Sequence, residues 1–142
     1  MATMTTPCAL CRRLIGRTAV RRERGSSSIQ MVILMPALFS IMFLGMQGAL
    51  YHHARTVAIA AAQEGARVAG GENGTAAGGI LAASSFVTDA GGEEVLPGAQ
   101  MTSGRSATTA TVTVTGTSLS VIPGWSPAVS QSESVPVERI TR

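Results

Sequence analysis

Few residues in this chain carry reactive chemistry, and none are grouped as a catalyst would need. Cys8 and Cys11 form a single C-x-x-C. Two thiols at that spacing can serve a zinc ion or a redox cycle. A zinc site of this kind uses a second pair, and a redox pair sits in a strand–helix–strand setting. Neither accompanies them, so the two read as incidental thiols. His52 and His53 are adjacent, but the residues after them hold no further His and no Cys to complete a metal site. They read as polar tips beside an apolar run. Asp89, Glu93 and Glu94 cluster in a Gly-rich stretch and read as a solvated loop. There is no Ser-His-Asp set and no Gly-rich phosphate loop of the right pattern. The expectation is a protein that is not an enzyme and binds no cofactor or metal.

The informative feature is a boundary at Gly25-Ser26. Before it stand Arg12, Arg13, Arg17, Arg21, Arg22 and Arg24. After it no charged residue appears until Arg55. Residues 1–25 sum to +5 and the remainder to −2, so the pI near 9.7 belongs to the leader. A nucleic-acid face would spread its basic residues over a folded surface. Here they flank a hydrophobic run, where Arg marks the cytoplasmic side of a membrane. The run Met31–Leu50, MVILMPALFSIMFLGMQGAL, is apolar at fifteen of twenty positions. Twenty helical residues span about 30 Å, the thickness of the hydrocarbon layer. It predicts one transmembrane helix with its N-terminus in the cytoplasm and its C-terminal region outside. Pro36 removes a backbone hydrogen bond within the span and predicts a kink. The run is too long for an ordinary secretory signal. A lipoprotein signal fails because Cys8 and Cys11 precede it.

The helix is expected to continue. Residues 51–69, YHHARTVAIAAAQEGARVA, are Ala-rich, and Leu50, Ala54, Val57, Ala61 and Val68 fall on one stripe. Gly70-Gly71 ends it. A helix from about Ser28 to Ala69 would be about 63 Å long. Glu64 and Arg67 stand at ion-pairing spacing. Ala58, Ala60, Ala61, Ala62, Gly65, Ala66 and Ala69 make a small-residue face. Such a face admits close approach, either of another chain's helix or of this chain's own strands.

Beyond Asn73-Gly74, Thr75 is a candidate N-cap for a short helix that Gly91-Gly92 stops. The alternation of Thr109, Thr111, Thr113 and Thr115 with Ala110, Val112 and Val114 predicts a strand. An earlier strand is expected over about Val95–Thr102, with a turn at Ser103-Gly104-Arg105-Ser106. A last strand is expected over Val135–Ile140, at an edge because of Pro136. Trp125 lies in a Pro/Gly loop, either packed on the sheet or exposed as an anchor for a partner.

The fold class is therefore α+β: one long transmembrane helix extending into a small exterior domain with a short helix and a small antiparallel sheet. The expected division is a leader at 1–25, a transmembrane helix at 26–50, a helix extension at 51–70, and a small α+β region at 71–142. Apolar content outside the span is too thin for a large soluble core.

Arg22-Glu23-Arg24-Gly25, then Ser26-Ser27-Ser28-Ile29-Gln30, then Met31–Pro36 resembles the TadE-like proteins of the tight-adherence (Flp-type) pilus system. The continuation Ala61-Ala62-Gln63-Glu64-Gly65-Ala66-Arg67 is similar to that family's helix extension, particularly its actinobacterial branch. The resemblance implies a pilin-like pseudopilin or pilus-assembly protein. Its partners would be other pseudopilins, inner-membrane platform proteins, a prepilin peptidase and the lipid bilayer, with no nucleic acid. It also implies cleavage at the bond between Gly25 and Ser26, which would make Gln30 the fifth residue of the mature chain. Major pilins of this kind carry Glu there, a carboxylate that neutralises a neighbour's N-terminal amine. Gln30 has no charge to offer, and this departure points to a minor pilin or an anchored assembly factor. The competing reading is a single-pass surface protein whose Thr/Val-rich sheet binds an extracellular ligand.

Overall fold

The computed structural model describes residues 23–139, with side chains from Ser28 onward. The leader before Glu23, with its C-x-x-C and most of its arginines, lies outside the described residues. Two compact units divide the chain, Met1–Ile41 and Met42–Arg142.

In the first unit the described part is wholly helical. It is the beginning of α1, which spans Glu23–Gly70 and runs unbroken through Pro36. Its start is earlier than the Ser-rich segment suggested. The Ser40 hydroxyl donates to the Pro36 carbonyl at 2.7 Å, a local bond that suits an apolar surround. Every side chain of this unit from Ser28 onward is exposed.

The second unit holds the rest of α1, a second helix α2 over Ala76–Asp89, a single 3-10 turn over Gly92–Glu94, and three strands. These are β1, Gln100–Arg105; β2, Thr109–Thr117; and β3, Ala128–Pro136. They form one antiparallel sheet in the order β1-β2-β3. The layout is α+β, as the pattern of the sequence indicated.

Thr75 caps α2 through its hydroxyl, which accepts from the Gly78 N–H at 2.9 Å. The alternation along β2 sorts its side chains as expected. Ala110, Val112 and Val114 are buried, while Thr111, Thr113 and Thr115 face the opposite side. On that side hydroxyls pair across the strands, Thr111 with Ser134 at 2.7 Å and Thr113 with Ser132 at 2.9 Å. The valines join one core with Ala54, Val57, Ala58, Ala61, Ala62, Ala66 and Ala69 of α1, Ala83 and Val87 of α2, and Leu96 and Val129. Burying each of the larger apolar side chains stabilises the unit by roughly 1.5–3 kcal/mol.

Two strand expectations are corrected. The first strand is Gln100–Arg105 rather than about Val95–Thr102. Pro97 has no N–H for a ladder, and Leu96 instead points inward, fully buried. Ser103 to Arg105 therefore belong to the strand, and the turn falls at Ser106–Thr109. There the Ser106 hydroxyl accepts from the Thr109 N–H at 2.9 Å. The last strand is Ala128–Pro136 rather than Val135–Ile140. Its serines carry no apolar alternation, and it is held by backbone pairing to β2 and by the hydroxyl pairs. Pro136 closes the strand opposite Thr109, where its missing donor is tolerated.

Candidate functional site

Among the described residues, most of the exposed large apolar side chains gather on one stretch of α1. Ile29, Val32, Ile33, Leu38, Ile41 and Leu44 are among its exposed residues, with Val32 at 73% and Ile41 at 70%. A contiguous apolar surface of this extent is not left in water. Among the described residues α1 is the one helix long and apolar enough to cross a membrane. It fits a single-pass membrane anchor.

The stretch ends at Gln47. This amide interrupts the apolar run and is 2% exposed. Its Nε2 donates to the Leu119 carbonyl at 3.2 Å, and its Oε1 accepts from the Val121 N–H at 2.9 Å. Gln47 thus ties the β2–β3 loop to α1. In the sequence it looked like one of five polar or small exceptions in an apolar span, and no local signal marked its role.

Past Gln47 the small-residue face meets this chain's own elements. Ala58, Ala61, Ala62, Ala66 and Ala69 are fully buried. Gly65 lies against the Gly79 carbonyl, Ala83 and Val112. Of the two readings open from the sequence, packing on the chain's own helix and strands is the one observed. Those side chains are not free to receive another molecule's helix.

The sequence-derived processing residues fall at the start of α1. Gly25 and Ser26 stand in its first turn and Gln30 one turn later, exposed. His52 and His53 are exposed on α1. No group of three metal-ligating side chains occurs among the described residues. Glu93 accepts from the Gly98 N–H at 3.0 Å and braces the loop before β1.

Two polar contacts finish the frame. Arg67 and Glu64 form a two-pronged pair at 2.6 and 2.9 Å on the outer face of α1. Hydrogen bonding to Arg67 holds the Glu64 carboxyl below its ordinary value; burial opposes this and the Arg67 charge adds to it. The Arg105 guanidinium donates to the Ala69 carbonyl and, at 3.0 Å, to the Gly71 carbonyl, closing the C-terminal end of α1. The sequence had placed Arg105 in a turn and did not anticipate this.

Residues 25–67 match the family model of the TadE-like proteins. The match covers most of α1 and none of the strands. No curated protein and no solved structure matches the chain.

Proposed function

We propose, with the TadE-like segment over residues 25–67 as premise, that this chain is a structural or assembly component of a Tad-type pilus or a related secretion apparatus. Within that machinery it acts as a minor pseudopilin and not as an enzyme. The observation that carries the reading is that one helix has two differently finished parts. Its Ile29–Met46 run is apolar and uncovered, while its Ala54–Ala69 part is built into a folded domain. The uncovered run needs lipid, or the equivalent helices of neighbouring pilus subunits.

The arginines before Gly25 support an orientation with the leader in the cytoplasm and the sheet outside. Prepilin peptidase would cut between Gly25 and Ser26, removing a charge of +5 that otherwise holds the helix in the bilayer. Gln30 then stands fifth. An uncharged side chain there leaves a neighbour's terminal amine unpaired in an apolar bundle, which is costly. This supports few copies rather than a bulk filament subunit. Other pseudopilins and the membrane platform are its partners.

The test is the intact mass of the chain extracted from membranes of cells that carry a prepilin peptidase. The expected N-terminus is Ser26, and Gly25→Val should leave the leader attached. An uncut wild-type chain, recovered apart from any pilus component after cross-linking, would overturn the reading in favour of a simple surface anchor.

A further inference from the structure

The loop between β2 and β3, residues 118–127, reads SLSVIPGWSP and carries no charge. Two of its large apolar side chains stand out, Leu119 at 40% and Trp125 at 50% exposed, while Val121 and Ile122 are half-buried. Yet the loop is held in place. Gln47 bonds its Leu119 carbonyl and its Val121 N–H, and the Ser118 N–H donates to the Pro127 carbonyl at 2.9 Å. The Ser120 hydroxyl donates to the Ile122 carbonyl at 2.6 Å, and the Trp125 N–H donates to that same carbonyl at 3.2 Å. Pro123 and Pro127 have no N–H to satisfy. A segment with no charge and much of its backbone internally bonded loses little on entering a lipid interface.

Position says what covers it. Trp125 and Pro127 line a cleft with Leu44, Gly48 and Tyr51 of α1. Leu44 and Met46 are the last members of the exposed apolar run. The loop therefore stands level with the point at which the apolar helix ends. Trp and Tyr, each with an apolar ring and a polar tip, favour the headgroup layer of a bilayer.

We propose that the Leu119–Pro127 loop is a second membrane contact. It lies in the headgroup layer on the sheet domain's side of the bilayer, with Trp125 as its anchor. The contact holds the sheet domain at a set height and tilt above the lipid, where a free helix would let it swing. This rests on the anchoring reading of α1, and the experiment separates the two.

Trp125 is the only tryptophan in the chain, so its emission reports this loop alone. The full-length protein is reconstituted into phosphatidylcholine–phosphatidylglycerol vesicles and floated on a density gradient. Emission is then read with lipids brominated near the headgroup or at the chain end, and with acrylamide in the water. The expected result is flotation, a blue-shifted emission, strong loss of emission to shallow bromine and protection from acrylamide, all unchanged on dilution with lipid. Leu119→Ser alters an exposed side chain and should float normally while losing part of the shallow quenching. Flotation with Trp125 open to acrylamide and indifferent to bromine would overturn the loop contact and leave the anchor standing. Shielding that disappears on dilution would mean that a second copy covers the loop, and would overturn it as well. Failure to float would overturn the anchor, and the loop contact with it.

Discussion

Gly65 on α1 and Gly79 on α2 face one another with no room for a side chain on either. A Cβ at Gly65 would lie 2.7 Å from the Gly79 carbonyl oxygen, and one at Gly79 would lie 2.8 Å from the Gly65 carbonyl oxygen. Both blocking atoms belong to backbone, so relief requires the helices to part. Gly65→Ala and Gly79→Ala are each expected to lower stability by about 1–3 kcal/mol. The double variant should lose less than the sum, because one separation accommodates both methyl groups. Denaturant unfolding in detergent, followed by circular dichroism, measures this.

Removing the Gln47 amide leaves the Leu119 carbonyl and the Val121 N–H without partners in a partly buried place. Gln47→Leu should destabilise the loop by about 1–3 kcal/mol. The readout is hydrogen exchange at Val121, which should accelerate while exchange in β2 stays slow. Unchanged protection at Val121 would show that the amide does not hold the loop.

Arg105→Ala frees the Ala69 and Gly71 carbonyls at the end of α1. A charged donor on two helix-terminal carbonyls contributes about 1.5–3 kcal/mol. Exchange in the last turn of α1 should rise selectively. Arg105→Lys should recover only part of the effect, since a point-like ammonium lacks the planar fork.

Leu96 is the largest of the fully buried side chains and seats on Gly116 of β2. Leu96→Ala should cost about 2–5 kcal/mol, the range for a leucine cavity that collapses only in part. A smaller loss in thermal or denaturant unfolding would mean that the loop before β1 closes over the gap.

The Glu64–Arg67 pair predicts a weak acid sensitivity. Glu64 has a lowered pKa in the folded state, so its contribution is complete above the ordinary carboxylate value of 4.5 and fades as pH falls through the lowered one. The Arg67 side chain is 72% exposed, so the contribution is small and salt-sensitive. Carboxyl titration by NMR should find the Glu64 midpoint below 4.5 at low salt and moving back toward it at high salt. Glu64→Gln should remove this part of the pH dependence of unfolding.

Much of the fold was legible because it rests on local rules. The apolar run, the Ala-rich continuation, the Thr75 cap and the Thr/Val alternation of β2 each declare an element through neighbouring residues alone. Gly78-Gly79 weakened the helix signal of α2 for the same reason that makes Gly79 valuable there. A residue with little helix propensity is placed there in contact with Gly65, fourteen positions away. β3 was misplaced because its serines offer no alternation to read, and its position follows from pairing with β2. The roles of Gln47 and Arg105 were invisible for a similar reason. Each bonds backbone atoms more than thirty residues distant.

The order of residues is enough to indicate a greasy helix preceded by arginines, an α+β layout from the Ala-rich and Thr/Val patterns, and the similarity of residues 25–67 to the TadE-like family model. These depend on composition and on spacing within a few turns. Folding settled which side of the Ala-rich helix is used up inside the molecule, where the outer strands lie, and that an uncharged Trp loop stands beside the end of the apolar run. Those outcomes depend on contacts between segments remote in the chain. Shape and backbone pairing choose such partners, and neither is written in any one stretch.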